Sequence, residues 1–202
     1  MSLKIVVFYG SVRSARMGIR AARFIVNKCK ERGYEVALID PLEYRLPLLD
    51  KMYKEYEPGE APEVLQRMAN LIIPADAYIV VSGEYNHTIP PALANLMDHF
   101  LDEYFRRPSA IVCYSAGAFG GVRASIALRS MLAEMGTSSI PSILPIPAVQ
   151  NSFDDAGTPK DEKYHARADK FLDELEWYAY ALKEARGRPC LRSECAAQTL
   201  LG

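Results

Sequence analysis

The sequence predicts an α/β fold built on one doubly wound parallel sheet, and three observations predict it. Five short apolar runs recur along the 202 residues, each followed by a segment of helical period. The runs are rich in Val and Ile and do not alternate strictly with polar residues, as in "IVVFY" and "YIVVS". Strands of that composition are buried on both faces, which is the condition of a parallel sheet covered by helices on either side. Glycine and proline stand where helices must stop, at Gly33, Pro74 and Gly136.

The strands are expected at 4–9, 35–39, 77–82, 110–115 and 138–145. Ala22, Ile25, Val26 and Cys29 form the apolar stripe of the first helix, and Val64, Leu65, Met68, Leu71 and Ile72 that of the second. Leu93, Leu96, Met97 and Phe100 mark the third, Ala124, Leu128, Met131 and Leu132 the fourth, and Ala168, Phe171, Leu172 and Leu175 the last. Alternating βα units imply right-handed crossovers with helices on both faces, and the expected strand order of the doubly wound sheet is 2-1-3-4-5. The chain reads as a single domain over 1–186 followed by a C-terminal tail, 187–202. Two connections, 40–61 and 146–160, are longer than usual, and connections of that length serve function, interfaces or merely surface excursions.

Composition excludes several classes. Lys plus Arg number 24 and Asp plus Glu 25, a net charge of -1, without the basic excess of a nucleic-acid or anionic-membrane binder. No apolar run approaches the ~20 residues of a membrane helix, and no secretory leader is evident, so the reading is a cytoplasmic protein. Cys29 and Cys113 fall in apolar patterns and read as buried hydrophobes. Cys190 and Cys195 lie in the tail without metal-ligand spacing, and no metal is expected.

The chemistry lies in the loops that follow strands one, three and four, which in this strand order meet at the switch point where such sheets bind ligands. The first is Gly10-Ser11-Val12-Arg13-Ser14-Ala15-Arg16-Met17-Gly18, running directly into a helix. A helix N-terminus leaves N–H groups unpaired and attracts anions, Ser11 and Ser14 add hydroxyl donors, and Arg13 and Arg16 add charge. The glycine spacing matches neither a Walker loop nor G-x-G-x-x-G. A plain N-cap serine with solvated arginines would look the same. The second loop, Gly83 to Pro91, contains Glu84, Tyr85, Asn86 and His87, and the third, Ser115 to Arg123, contains Gly117, Gly120 and Gly121. Tyr85 offers an aromatic surface and Asn86 polar groups, while glycines remove Cβ atoms that would keep a planar heterocycle off the backbone. His87 reads as structural or interfacial. Arg123 opens a helix, where a cation opposes the helix dipole, so it calls for an anion: a nicotinamide phosphate, a substrate oxyanion or a neighbouring subunit's carboxylate.

In G-S-x-R at Gly10 to Arg13, E-Y-N-H with a following I-P from Glu84 to Pro90, and S-x-G-x-x-G-G-x-R from Ser115 to Arg123, the sequence resembles the NADPH-dependent FMN reductases, flavodoxin-like reductases of quinones, chromate and azo compounds. The resemblance spans about the first 150 residues. It implies a flavodoxin-like five-stranded sheet and bound FMN, with NADPH or NADH as co-substrate. The electrons would pass to a quinone, flavin, azo compound or metal oxyanion. It assigns Ser11, Arg13, Ser14, Arg16 and Met17 to the phosphate, Glu84, Tyr85 and Asn86 to the ring, and Ser115, Gly117 and Gly120 to the ring edge. His87 and Arg123 go to an interface or substrate, and the protein to a homodimer or homotetramer. No catalytic side chain is called for, because the cofactor carries the chemistry. Two departures stand out: Gly83 replaces the usual proline, which should loosen its loop, and Met17 replaces a small polar residue, which shifts its role to backbone N–H groups. A flavodoxin-like electron carrier and a non-flavin binding protein of the same fold are the alternatives, the carrier disfavoured by the near-neutral charge.

Overall fold

In the computed structural model, which describes residues 2–188, five parallel strands form one sheet in the order β2-β1-β3-β4-β5. They are β1 (Lys4–Tyr9), β2 (Glu35–Ile39), β3 (Ala77–Gly83), β4 (Ser109–Tyr114) and β5 (Ser139–Ile146). The helices are α1 (Gly18–Glu31), α2 (Glu63–Ile72), α3 (Pro91–Asp98), α4 (Val122–Glu134), α5 (Val149–Ser152) and α6 (Lys163–Gly187). The expected strands are all present, displaced by one residue at some ends. Sequence reading did not anticipate the short α5, which lies inside the long connection after β5. The tail with Cys190 and Cys195 lies outside the described residues, apart from its first positions.

The two faces of the sheet explain why the strand sequences do not alternate with polar residues. Ile5, Val7 and Tyr9 of β1 face α1 and α6, in a cluster with Phe24, Ile25, Phe171 and Leu172. Val6 and Phe8 face the opposite way, toward Met68 of α2, Leu96 of α3 and Leu128 of α4. Both faces are therefore dry, and every position of β1, β3 and β4 beyond Lys4 is buried. The edge strand β5 carries Pro141 and Pro145, and its register against β4 shifts between Ser109 and Ile111. Proline is tolerated there because an edge strand has one unpaired side.

Both long connections pack instead of trailing. Tyr53 of the first stacks on Phe100 with ring centroids 5.4 Å apart. Phe153 of the second is wholly buried, 5.0 Å from the rings of both Phe24 and Tyr164. The pairing at the carboxyl ends of the strands brings them level: Tyr9 stands opposite Val81, Gly83 opposite Tyr114, and Tyr114 opposite Ile146. The loops after β1, β3, β4 and β5 consequently leave the sheet side by side.

Candidate functional site

These loops enclose a cleft of about 330 Å³, within the ~300–1,000 Å³ range of small-molecule sites. Ser11, Arg13, Ala15, Arg16, Met17 and Gly18 line one wall, and Gly83, Glu84 and Tyr85 a second. Tyr114, Ser115, Ala116, Val149 and Gln150 complete it. The three segments singled out in the sequence are thus neighbours, joined by a fourth from α5.

The first wall is built for an anion. Helix α1 begins at Gly18 with no acidic residue in its first turn; the Arg20 N–H donates to the Met17 carbonyl at 3.1 Å, and no side chain caps the N–H groups ahead of it. Arg13 is exposed at the rim, and its own N–H donates to Ser11 Oγ at 3.4 Å. Arg16 is differently employed. Its Nη1 donates to the Ser11 carbonyl at 3.1 Å and to Asp40 Oδ1 at 2.5 Å, and its Nη2 to Asp40 Oδ2 at 2.7 Å. The guanidinium also lies 5.3 Å from the centre of the Tyr9 ring. The Asp40 hydrogen bonds hold Arg16 even further above its usual range, as a permanent cation. Arg16 therefore splints the loop to the end of β2 and presents only its remaining N–H groups to the cleft. Ser14 is exposed and is not among the lining residues. Met17 lines the cleft but caps nothing with its side chain.

The second and third walls are tied together by Glu84. Its Oε2 accepts from the backbone N–H of Arg123 and its Oε1 from Arg123 Nη1, both at 3.1 Å. A carboxylate at the start of α4 complements that helix dipole and offsets the misplaced cation, whose guanidinium also lies 4.6 Å from the Phe119 ring centre. The anion that Arg123 required is thus in its own chain. The sequence had offered a neighbouring subunit, a nicotinamide or a substrate as the source.

Tyr85 and Thr88 exchange backbone hydrogen bonds of 3.1 Å and 2.9 Å across a two-residue turn whose central residues, Asn86 and His87, have φ of 50° and 64°. That turn swings both side chains to the exposed tip, so neither lines the cleft. Two glycines of the third loop also serve differently from expectation. A Cβ on Gly120 would meet the backbone of Ile146 and Pro147 at 3.0–3.2 Å, and one on Gly121 the Tyr114 carbonyl at 2.6 Å. They let the loop pack on β5 and β4, whereas Gly117 has open space around it; neither Gly117 nor Gly120 is among the residues lining the cleft. The Gly117 carbonyl accepts from Ser115 Oγ at 3.0 Å and from the Ala148 N–H at 3.1 Å, which stitches α5 to the loop.

Gly83 is not a loosened hinge. It is the buried last residue of β3, and a Cβ there would sit 3.1 Å from Tyr114 Cζ. The space is taken by a phenol that the motif reading did not include. Tyr114 lies nearly parallel to Tyr9, ring centres 6.3 Å apart, and its hydroxyl donates to Tyr9 Oη at 3.4 Å. Burial pushes both phenols above their ordinary range, so both keep their protons. Ser11 Oγ and Tyr85 Oη, 3.4 Å apart, extend the hydroxyl cluster along the cleft.

Asp40, Tyr114 and Gln150 were missed from sequence. Each does sit at or just after the carboxyl end of a strand, which was the available signal. Gln150 Nε2 donates to the Ala116 carbonyl at 3.3 Å while its Oε1, buried, has no hydrogen-bond partner. Among the described residues no group of three or more His, Cys, Asp or Glu could hold a metal ion, and no helix is long and apolar enough to cross a membrane.

A flavin mononucleotide fits these features. An uncapped helix start and Arg13 suit a dianionic phosphate, Tyr85 and the open backbone at Gly117 suit a flat ring, and the orphaned Gln150 oxygen marks unfilled hydrogen-bonding capacity. Residues 3–151 match the family model described as NADPH-dependent FMN reductase. The chain is 23% identical over 185 residues to an NADPH azoreductase of Bacillus sp. (strain OY1-2), covering 91% of this chain and 97% of that one. It is 31% identical over 139 residues to an NAD(P)H-dependent FMN reductase of Nectria sp, covering 64% and 67% of the two chains. Among solved structures, the flavoenzyme NAD(P)H:(acceptor) oxidoreductase FerB of Paracoccus denitrificans superposes with a TM-score of 0.69 at 22% identity, over 86% of this chain and 97% of that one.

Proposed function

The chain belongs to the NADPH-dependent FMN reductase family, an FMN-dependent NAD(P)H oxidoreductase, and we propose that its FMN occupies the cleft between the loops after β1, β3 and β4. Ser11, Arg13, Met17 and the first turn of α1 hold the phosphate, with Arg16 fixing their geometry through Asp40. Glu84, Tyr85, Ser115 and Ala116 border the ring, Gly117 follows that lining with open space around it, and Asn86 and His87 shape the rim turn. FMN supplies the hydride-accepting and hydride-donating chemistry when bound. The protein holds the phosphate, excludes water from one face of the ring, and aims N–H and hydroxyl donors where negative charge builds up on reduction.

The acceptor is a small molecule. The reading extends to quinones, free flavin, azo compounds and metal oxyanions, supported by relatives named azoreductase and quinone reductase. It places the protein in the cytoplasm, where reduced nicotinamides are supplied. It also takes the working form to be a homodimer or homotetramer, supported by the exposed apolar side chains of Val12 and Leu42 on a hollow that Arg45 and Asn95 also line.

The observation that carries the site is the meeting of Ser11, Tyr85 and Ser115 in one cleft. Purified protein should be yellow or take up one FMN per chain. Under anaerobic conditions NADPH or NADH should abolish its visible absorbance, and a quinone should restore it. A protein that takes up no FMN overturns the proposal.

A further inference from the structure

We propose that Tyr114 is a cofactor-contacting residue whose hydroxyl donates a hydrogen bond to the sugar-alcohol chain joining the phosphate and the ring of FMN. The inference rests on the cleft being the FMN site and adds a contact that none of the loop motifs contains.

An ideal Cβ on Gly18 would fall 2.1 Å from Tyr114 Cζ and 2.4 Å from its oxygen, and one on Gly83 3.1 Å and 3.2 Å from the same atoms. The end of the phenol is therefore seated between the first residue of α1 and the last residue of β3. Those two residues belong to different parts of the ligand. Gly18 opens the helix whose N-terminus faces the phosphate end, and Gly83 precedes the loop carrying Tyr85, at the ring end. What lies between phosphate and ring in this ligand is the polyol.

The chemistry points the same way. Filling a core alone would be done as well by phenylalanine, without a hydroxyl to satisfy. The Tyr114 hydroxyl also meets the Ser11 side chain, but its own proton has a poor internal acceptor, Tyr9 Oη at 3.4 Å, which is the outer limit of a hydrogen bond. Tyr114 is 8% exposed and lines the cleft, whereas Tyr9 is fully buried beneath it. A phenol that keeps its proton is a neutral donor, matched to neutral alcohol oxygens, while the charged phosphate is met by Arg13 and the helix start. Ser11 and Tyr85, with hydroxyls 3.4 Å apart on the same cleft, continue the row of neutral donors.

The test compares wild type, Tyr114→Phe and Tyr9→Phe by quenching of flavin fluorescence, with FMN and with riboflavin, which keeps the polyol but lacks the phosphate. Both variants lose the Tyr9–Tyr114 hydrogen bond, so a role confined to packing weakens FMN equally in the two. The expected result is a Kd for FMN raised about 3- to 10-fold in Tyr114→Phe, the size of one hydrogen bond, and less than 2-fold in Tyr9→Phe. The ratio of riboflavin to FMN affinity in Tyr114→Phe should match the wild type. Equal effects of the two variants, no effect of Tyr114→Phe, or a loss confined to FMN with riboflavin spared each overturn the proposal. A wild-type protein that binds no FMN defeats the site reading instead, so the two failures are distinguishable.

Discussion

Asp40 holds Arg16 by two parallel hydrogen bonds of 2.5 Å and 2.7 Å, with 4% of the Asp40 side chain and 17% of the Arg16 side chain exposed. Through the same guanidinium the Ser11 carbonyl is fixed, so the end of β2 dictates the shape of the loop after β1. Asp40→Asn keeps the shape and removes the charge, leaving a nearly buried cation unpaired. The expected loss is about 2–3 kcal/mol in urea unfolding of the apoprotein, together with weakened FMN retention. An unchanged midpoint would mean that the pair is replaceable by water.

Glu84 and Arg123 make a different kind of pair, because Arg123 is 39% exposed and solvent screens it. A double-mutant cycle of Glu84→Gln and Arg123→Met in denaturant should give a coupling of about 0.5–1.5 kcal/mol, falling at high salt. Glu84→Gln alone should cost more than Arg123→Met alone. Glu84 also accepts the Arg123 backbone N–H at the start of α4, a contact that Arg123→Met retains.

Gly18→Ala should act against ordinary helix propensity. In a helix, alanine is usually favoured over glycine by about 1 kcal/mol, yet here the new methyl would lie 2.1 Å from the Tyr114 ring. The substitution should therefore destabilise by about 1–3 kcal/mol, as overpacking does. In a Tyr114→Ser background the obstacle is gone, and the same Gly18→Ala should become neutral or stabilising. Thermal unfolding of the four proteins reads the sign reversal. Two independent, additive losses would contradict the packing described.

What the sequence made legible follows from locality. The strands were visible because β1, β3 and β4 are apolar on both faces, and Gly33 with a φ of 75° ends α1 as its position implied. Loops next to strand ends were legible for the same reason: Ser11, Arg13, Glu84, Tyr85 and Ser115 are anchored by adjacent backbone and reach one cleft. What stayed hidden depended on pairing between distant positions. Nothing near Arg16 announces Asp40, nothing near Arg123 announces Glu84, and the proline-to-glycine change at Gly83 makes sense only against Tyr114, its cross-strand partner. Asn86 and His87 are residue types that tolerate positive φ, but that the turn carries them to the tip follows only from the paired backbone of Tyr85 and Thr88 that closes it.

Cys29 and Cys113 should be inert. Both are free and buried, and burial pushes each thiol up to about 12, where the thiolate is negligible at neutral pH. Iodoacetamide applied to the native protein at pH 7.5, followed by peptide mass mapping, should leave both unmodified, with full labelling once the protein is denatured. Rapid labelling of Cys113 in the native state would mean that β4 opens locally near the cleft.

Acid should release the clamp between α1 and α6. Lys28 Nζ lies 2.9 Å from Asp169 Oδ1, and Arg32 Nη2 reaches the same oxygen at 3.3 Å. The hydrogen bond from Lys28, followed by that from Arg32, holds the Asp169 carboxyl below its usual range. Burial pulls the Lys28 ammonium down, but its hydrogen bonds to Asp169 and Glu31 more than restore it, leaving it raised. A carboxyl that ionises more readily folded than unfolded stabilises the fold above its unfolded pKa of about 3.9 and loses that contribution as pH falls through the lower folded value. The raised ammonium contributes fully below about 10.4 and fades only above it, so the clamp is constant from about pH 5 to 9. Asp169→Asn should therefore destabilise the protein at pH 7, and the gap to wild type should close as both are taken below about pH 3. Urea titrations at pH 7, 4 and 2.5 measure it. A gap that persists undiminished at the lowest pH would show that Asp169 acts through shape, not charge.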